Sequence, residues 1–294
     1  MSLVELEAAR KRALLLSGVF FSLGGALILL LGPLGPFLGV PLVVLALNQI
    51  SAFPKKAKQA LVAPLAEALG FRYWADRGFS EEEILASGIF HSPDHYHAED
   101  LVEGEVNGIP FTSSHITLYR KVEEVYEDRK RSYYQVFFSG VLYRFRLPFA
   151  VEKEVRFAPP GSGRGAYTNK RLEQVVLESP EFNLFFQVYG EDQVEARKLL
   201  TPRVQEALVE LIRHLRTAIG GAVRGRDLWL AVKAVKGRER FPKPPILLPV
   251  TWTYEAWKAR YQDELSKASR VVEILRLEEE AKRRGAFLGG SEAS

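Results

Sequence analysis

The stretch Ala13-LLLSGVFFSLGGALILLLGPLGPFLGVPLVVLALNQISAF-Pro54 decides how this chain is organised. Its 42 residues include no Asp, Glu, Lys, Arg or His. Two apolar runs, Ala13–Leu31 and Leu34–Ile50, meet at a Gly-Pro-Leu-Gly-Pro break, Gly32–Pro36. A helix rises about 1.5 Å per residue, so about 20 apolar residues cross a hydrocarbon core about 30 Å thick. Both runs approach that length. Pro33 and Pro36 each remove a backbone donor, and unpaired backbone is costly in lipid, so the break belongs at a water interface. The stretch therefore predicts a transmembrane helical hairpin. Gly35 and Gly39, with Gly18, Ser22 and Gly25 on the first run, are small enough to let the two helices approach closely.

The flanks set the expected orientation. Arg10, Lys11 and Arg12 precede the first run, Lys55, Lys56 and Lys58 follow the second, and the turn between is uncharged. Lys and Arg are retained on the cytoplasmic side, which puts both ends of the hairpin there, at the bacterial inner membrane. A cleaved signal peptide fits the basic start, but the apolar region is too long and lacks a small-x-small cleavage site. A single anchor or re-entrant loop is the remaining alternative.

The segments outside the hairpin are charged and read as soluble. They divide into a basic lead, 1–12, a soluble domain, 55–250, a long amphipathic helix, 251–284, and a disordered tail, 285–294. Cysteine is absent, which excludes disulfides, thiolate metal sites and thiol catalysis. One Met, four Asn and many Arg and Glu suggest a thermophilic source. Charge is uneven: residues 71–110 carry nine acidic and two basic groups, and 213–260 carry eleven basic and three acidic ones. The basic region is either a solvated face or a contact with anionic lipid.

Within the soluble part, Lys55–Leu69 has helical spacing interrupted at Pro64, which predicts a kink or two short helices. Phe71–Ala75 reads as a strand. Ser80 and Glu83 form a capping box opening a short helix. Phe90–Ala98 reads as a loop. Asn107-Gly108 is a strong hairpin signal, pairing Leu101–Val106 with Ile109–Tyr119, and Val122–Tyr126 continues the second strand. Glu127–Arg131 is a charged turn. Tyr133–Leu147 is apolar on both faces and predicts a central strand; Val151–Phe157 is a further strand. Leu172–Leu177 and Phe185–Tyr189 are strand-like. Asp192 caps one helix, and Thr201-Pro202 opens another that Gly220-Gly221 stops. Ala222–Arg224 and Leu228–Val235 suggest a hairpin about Gly225–Asp227. Phe241–Pro249 is Pro-rich and extended. From Tyr254 to Arg284, Trp257, Tyr261, Leu265, Ala268, Val272 and Leu275 recur at heptad-like spacing, which suits packing on the chain's own core or on a partner. The expected class is α+β, with a mainly antiparallel sheet between the hairpin and a long C-terminal helix.

Two motifs carry a resemblance. The first is Asp100-Leu101-Val102-Glu103-Gly104-Glu105 with Gly108 and Phe111. The second is Glu178-Ser179-Pro180-Glu181-Phe182, then Phe186-Gln187-Val188-Tyr189, continuing through Asp192-Gln193-Val194-Glu195-Ala196-Arg197 to Leu200-Thr201-Pro202. Together with the apolar hairpin they resemble the bacterial membrane-anchored domain-of-unknown-function 3137 family over roughly residues 10–235. The resemblance implies an architecture, a hairpin followed by a mixed cytoplasmic domain. It brings no catalytic residue or cofactor. Its motif positions are Asp100, Gly104, Gly108, Ser179, Pro180, Asp192, Glu195, Arg197 and Pro202.

Candidate chemistry is sparse. His91, Asp94, His95 and His97 are weak metal candidates, because a His/Asp cluster can hold a divalent ion but this spacing matches no ligand signature. A polar turn at Ser92-Pro93-Asp94 explains them as well. His115 and His214 read as structural. Gly161–Gly165 lacks the Lys-Ser/Thr of a phosphate loop and reads as a connector. Asp100, Glu103 and Glu105 read as a solvated acidic face rather than an acid–base pair. Tyr143-Arg144-Phe145-Arg146 could stack single-stranded nucleic acid, but a strand emerging into solvent explains it more simply, and nucleic acid is not an expected partner. The expected function is a membrane-tethered interaction or scaffold module that binds another protein or its own copies. The alternatives are a membrane-bound enzyme, such as a hydrolase using His91–His97, and a domain that binds anionic lipid through Arg213–Arg260.

Overall fold

A computed structural model describes residues 2–126, 129–161, 172–235 and 239–277. Part of the predicted turn at Glu127–Arg131, the Gly-rich connector from Ser162 on, the end of the last helix and the tail 285–294 lie outside them. The class is α+β. The chain forms two compact units: one of residues 1–69, 73–75 and 241–265, the other of 70–72, 76–240 and 266–294.

In the first unit, α1 (Leu3–Leu30) and α2 (Gly35–Glu67) are joined by a 3-10 turn at Gly32–Leu34. Both are long and apolar enough to cross a membrane. Gly32 takes φ +53°, a conformation open to glycine at little cost. The lead that precedes the apolar run is not a separate element: α1 starts at Leu3, where Ser2 and Glu5 form a capping box. Nor does the chain break after the second run, since α2 continues through Pro41, Pro54 and Pro64 to Glu67. A proline inside a helix removes one hydrogen bond and clashes with the preceding turn, which bends a helix without having to end it.

The packing face of α1 differs from the expected one by a single residue. Ala13, Ser17 and Gly24 are buried, while a side chain at Gly18 or Gly25 would meet nothing. Any Cβ on Gly39 would collide with the Gly24 carbonyl, and the Ser17 hydroxyl donates to the Ala46 carbonyl at 3.2 Å. Small residues stand side by side at Ser17-Gly18 and Gly24-Gly25. One residue is about 100° of helix rotation, so composition alone leaves the face undecided.

The lower half of α2 buries Phe53, Ala57, Leu61, Val62 and Ala66. Gln59 clamps the backbone of the 73–75 segment, donating to the Tyr73 carbonyl (2.9 Å) and accepting from the Ala75 amide (2.7 Å). Edge-to-face rings run from Tyr73 to Phe241 (5.4 Å) and from Phe241 to Tyr261 (5.9 Å).

A short strand, β1, spans Arg72–Trp74. In the second unit, β2 (His95–Val106), β3 (Ile109–Tyr126), β4 (Arg129–Ala158), β5 (Glu173–Val175), β6 (Gln187–Gly190) and β7 (Ile219–Lys233) form one sheet in the order β2-β3-β4-β6-β5, with β7 also on β4. All pairings from β2 onward are antiparallel. Asn107 and Gly108 both take positive φ, as the predicted two-residue turn requires. β4 pairs with β3 and then β6 along one edge and with β7 along the other, which makes it a central strand. The shorter helices are α3 (Glu81–Ala86), α4 (Pro180–Phe185), α5 (Gln193–Leu199) and α6 (Pro202–Leu215). Phe79, Ile84 and Ile89 pack on Ile116, Leu118, Leu142 and Trp229 across one sheet face.

Five expectations need correction. β4 runs unbroken from Arg129 to Ala158, so Val151–Phe157 is not a separate strand and Arg129–Arg131 is not turn. The segment expected as a loop to Ala98 enters β2 at His95. Phe185 ends α4 rather than starting a strand. Arg216, in the left-handed region, ends α6, and Gly220-Gly221 lies within β7. Residues 222–235 hold no hairpin: β7 is one strand. Gly225, at φ +56°, sits where the β4–β7 register slips between Arg146 and Val151. Pro148 lies in that slip, where a residue without a donor is tolerated.

The last helix, α7 (Val250–Leu275), buries Tyr261, Leu265, Ala268, Val272 and Leu275 within the single chain. Burial of a leucine is worth about 2–5 kcal/mol on truncation. Leu265→Ala with Leu275→Ala should therefore lower the melting temperature of the full chain equally at all protein concentrations. A dimer of the parent chain that dissociates in this double mutant, with no loss of monomer stability, would contradict that packing.

Candidate functional site

One face of the β2–β3–β4 layer gathers most of the polar residues that the sequence singled out. A β-bulge builds it. Glu99 pairs with His115 and Val102 with Ser113, so β2 carries one extra residue between them. The bulge switches the side-chain parity of β2. His95, His97 and Glu99 thereby share a face with Val102 and Gly104, while Tyr96 and Ala98 turn to the apolar cluster on the other side.

Asp100 sits in the bulge at φ +63° and only 1% exposed. It is therefore not part of a solvated acidic face. Its carbonyl accepts a hydrogen bond from Arg240 Nη1 (2.9 Å), and Arg240 Nη2 donates to Ser113 Oγ (2.9 Å). The same guanidinium lies 5.9 Å from the Tyr143 ring centre. A strained backbone position persists where its surroundings over-determine it, and here a buried cation holds the carbonyl in place. Arg240 lies 140 residues from Asp100, a separation that sequence spacing does not reveal. Glu103, by contrast, reaches the surface and pairs with Arg72 at 3.0 Å.

Away from the bulge the face opens to solvent. His97 Nε2 stands 3.8 Å from Glu99 Oε2. Thr117 and Ser139 hydroxyls meet at 3.3 Å. His95 packs against Tyr119 (5.4 Å) and Tyr134 (6.0 Å). Asp94 accepts from the Lys121 amide at 2.8 Å. Among the described residues, no three His, Cys, Asp or Glu side chains come together as metal ligands.

Past the His95–Tyr119 pair, β3 and β4 run on together as a two-stranded arm, from Arg120 opposite Gln135 to Tyr126 opposite Arg129. At about 3.4 Å per residue, seven pairs reach about 20 Å. Tyr134 is 58% exposed there, and Val125, Tyr133, Val136 and Phe137 are exposed as well. A long β3 was legible in the sequence; β4 was read as two separate strands. That β2 and β7 stop short of their ends was not legible.

The motif residues sit at turns, caps and close approaches. Gly108 makes the β2–β3 turn. A Cβ on Gly104 would strike the Phe71 ring, which packs edge-to-face on Phe111 at 5.0 Å. Ser179 caps α4 with Pro180 in its first turn, and Asp192 caps α5. Glu195 pairs with Lys198 at 2.9 Å, and Arg197 donates to the Val176 carbonyl at 3.4 Å. Thr201 caps α6, with Pro202 at its start. Elsewhere, Arg144 and Arg146 both bind Asp227, at 3.0 and 3.3 Å, and His214 meets Arg270 at 3.2 Å.

Residues 136–277 match the family described as "Protein of unknown function (DUF3137)". The DUF3137 match takes in the second motif and the last helix; the first motif and the apolar helices precede it. The crystal structure of the mycobacterial trehalose monomycolate transport factor A aligns with a TM-score of 0.38 and 9% identity, over 75% of this chain and 95% of that one. No curated protein matches in sequence.

Two outcomes follow from the motif geometry. Gly→Ala in a strand ordinarily stabilises, but Gly104→Ala must displace Phe71 and should cost about 1–3 kcal/mol, read as a lower melting temperature. Amide hydrogen bonds from Glu195 and Val194 hold the Asp192 carboxyl below its ordinary value. Its contribution is present above the unfolded pKa, about 3.9, and is lost as pH falls through the folded value. Asp192→Asn keeps a capping acceptor that does not titrate. The stability of the parent chain should therefore fall relative to this variant only below about pH 4; a gap constant across that range would contradict the assignment.

Proposed function

We propose that this protein is a membrane-tethered interaction or scaffold module whose soluble domain lies on the cytoplasmic side of the bacterial inner membrane. Two observations support the tether. The α1 and α2 helices are long and apolar, and large side chains such as Leu29, Leu30, Phe37 and Leu38 are exposed along them, as lipid-facing surfaces are. Basic residues on both flanks of an uncharged turn favour the cytoplasmic side.

The observation that carries the interaction reading is the β3–β4 arm. It is a two-stranded projection with exposed aromatic and branched side chains. Tyrosine and other aromatics anchor protein interfaces, and open strand edges accept an added strand. The side chains of Tyr119, Tyr134 and Val136 with His95 form the contact patch. The partner is a protein, either a different chain or a second copy of this one.

A photoreactive residue replacing Tyr134 in cells should capture one discrete protein, and the mass of the adduct separates a second copy from a foreign partner. Val136→Glu should reduce that adduct about tenfold or more, as loss of a central interface residue does. The melting temperature should stay within the range of an ordinary surface change. No adduct, or one indifferent to Val136→Glu, would contradict the reading.

A further inference from the structure

We infer that the Leu247–Trp252 elbow at the start of α7 is a second membrane contact, one that lies in the lipid headgroup layer beside the α1–α2 hairpin. This rests on the hairpin spanning a bilayer.

Two clamps fix the elbow to the first turns of α1. Arg10 Nη1 donates to the Ile246 carbonyl at 3.0 Å, and Glu7 Oε2 accepts from the Val250 amide at 3.0 Å. Glu7 and Arg10 also hold each other at 2.6 Å, and Arg10 is buried. The carboxylate thus meets a free amide at the start of α7, where helix N–H groups lack intrahelical partners. Pro244, Pro245 and Pro249 stiffen the segment on both sides.

What the clamps present is apolar. Leu247 is 78% exposed, Leu248 51% and Trp252 72%. Solvent-exposed leucines and a tryptophan at one elbow call for a cover. Its depth identifies that cover. Arg10 precedes Ala13, where the uncharged run begins, by three residues, or about 4.5 Å of helix rise. The elbow is therefore held at the level where α1 enters lipid. Tryptophan concentrates in that layer, apolar body toward the acyl chains and N–H toward water. Lys11 and Arg12 on α1, and Lys55 and Lys56 on α2, add cationic groups suited to anionic headgroups. The occupant is the bilayer itself. Residues far apart in sequence thus meet the membrane together, so the chain touches it near both ends of its described length.

The chain has no cysteine, so single-cysteine variants of the full chain can be labelled with a fluorophore and reconstituted into vesicles. The vesicles contain anionic phospholipid brominated on upper acyl carbons. Labels replacing Leu248 and Trp252 report the elbow, Val44→Cys reports the hairpin, and Leu184→Cys, on exposed α4, is the aqueous reference. Interfacial groups sit about 5–10 Å into the headgroup and acyl boundary. Bromine should accordingly remove about half the fluorescence at Leu248→Cys and Trp252→Cys, as it does at Val44→Cys, and leave Leu184→Cys unchanged. Leu247→Cys serves as a further elbow position should either variant fold poorly. Quenching at Val44→Cys with none at the elbow overturns this inference and leaves the hairpin standing. Absence of quenching at Val44→Cys as well overturns both.

Discussion

The sheet depends on a single strand that has to satisfy neighbours on both edges. Along one edge β4 pairs with β3 from Arg129 to Phe145 and with β6 from Val155 to Ala158, and along the other with β7 from Gly140 to Phe157. Buried backbone donors and acceptors must be paired, so wherever β4 bends or slips, its partners must slip with it. The register breaks at Leu118/Tyr119 on β3 and at Arg146/Val151 on β4, opposite β7, meet that requirement. Gly225 and Pro148 are the residues whose chemistry allows it. The bulge at Asp100 is the corresponding adjustment on β2, and its buried arginine keeps a polar group satisfied where the ladder opens.

Much of this was legible in the sequence, and the exceptions have physical causes. Local signals read correctly because they act over a few residues: the Asn107-Gly108 turn, the caps at Ser80, Asp192 and Thr201, and the uncharged run from Ala13 to Pro54. The errors fall where a tertiary partner overrides the local signal. Gly225–Asp227 resembles a turn but is a slip matched to β4. Gly220-Gly221 resembles a helix stop but lies in a strand where a side chain at Gly221 would strike the Phe157 ring. Gly18 and Gly24 look alike in sequence, and only the partner helix distinguishes them.

The candidate site shows the same division. The histidines at 95 and 97 invited a metal reading because loop residues of the right type lay close together. Pairing β2 to β3 places them in extended register, with His95 packed against Tyr119 and Tyr134 and His97 beside Glu99. The motif residues of the family resemblance sit at caps, turns and tight glycines, so they record what this fold requires locally. The exposed arm and the clamped elbow were not legible, because each is defined by where neighbouring elements end or meet: β3 and β4 run on alone because β2 stops at His95, and the elbow is held at Ile246 and Val250 by Arg10 and Glu7.

The account stands on the topology of the apolar hairpin, and labelling with a membrane-impermeant maleimide tests it directly. Leu34, exposed in the turn between the helices, and Leu184, exposed on the soluble domain, are each replaced by the chain's sole cysteine. In cells with a permeabilised outer membrane, Leu34→Cys should label at once and Leu184→Cys only after lysis. Labelling of Leu184→Cys before lysis, or protection of Leu34→Cys until lysis, would contradict a tethered domain on the cytoplasmic side.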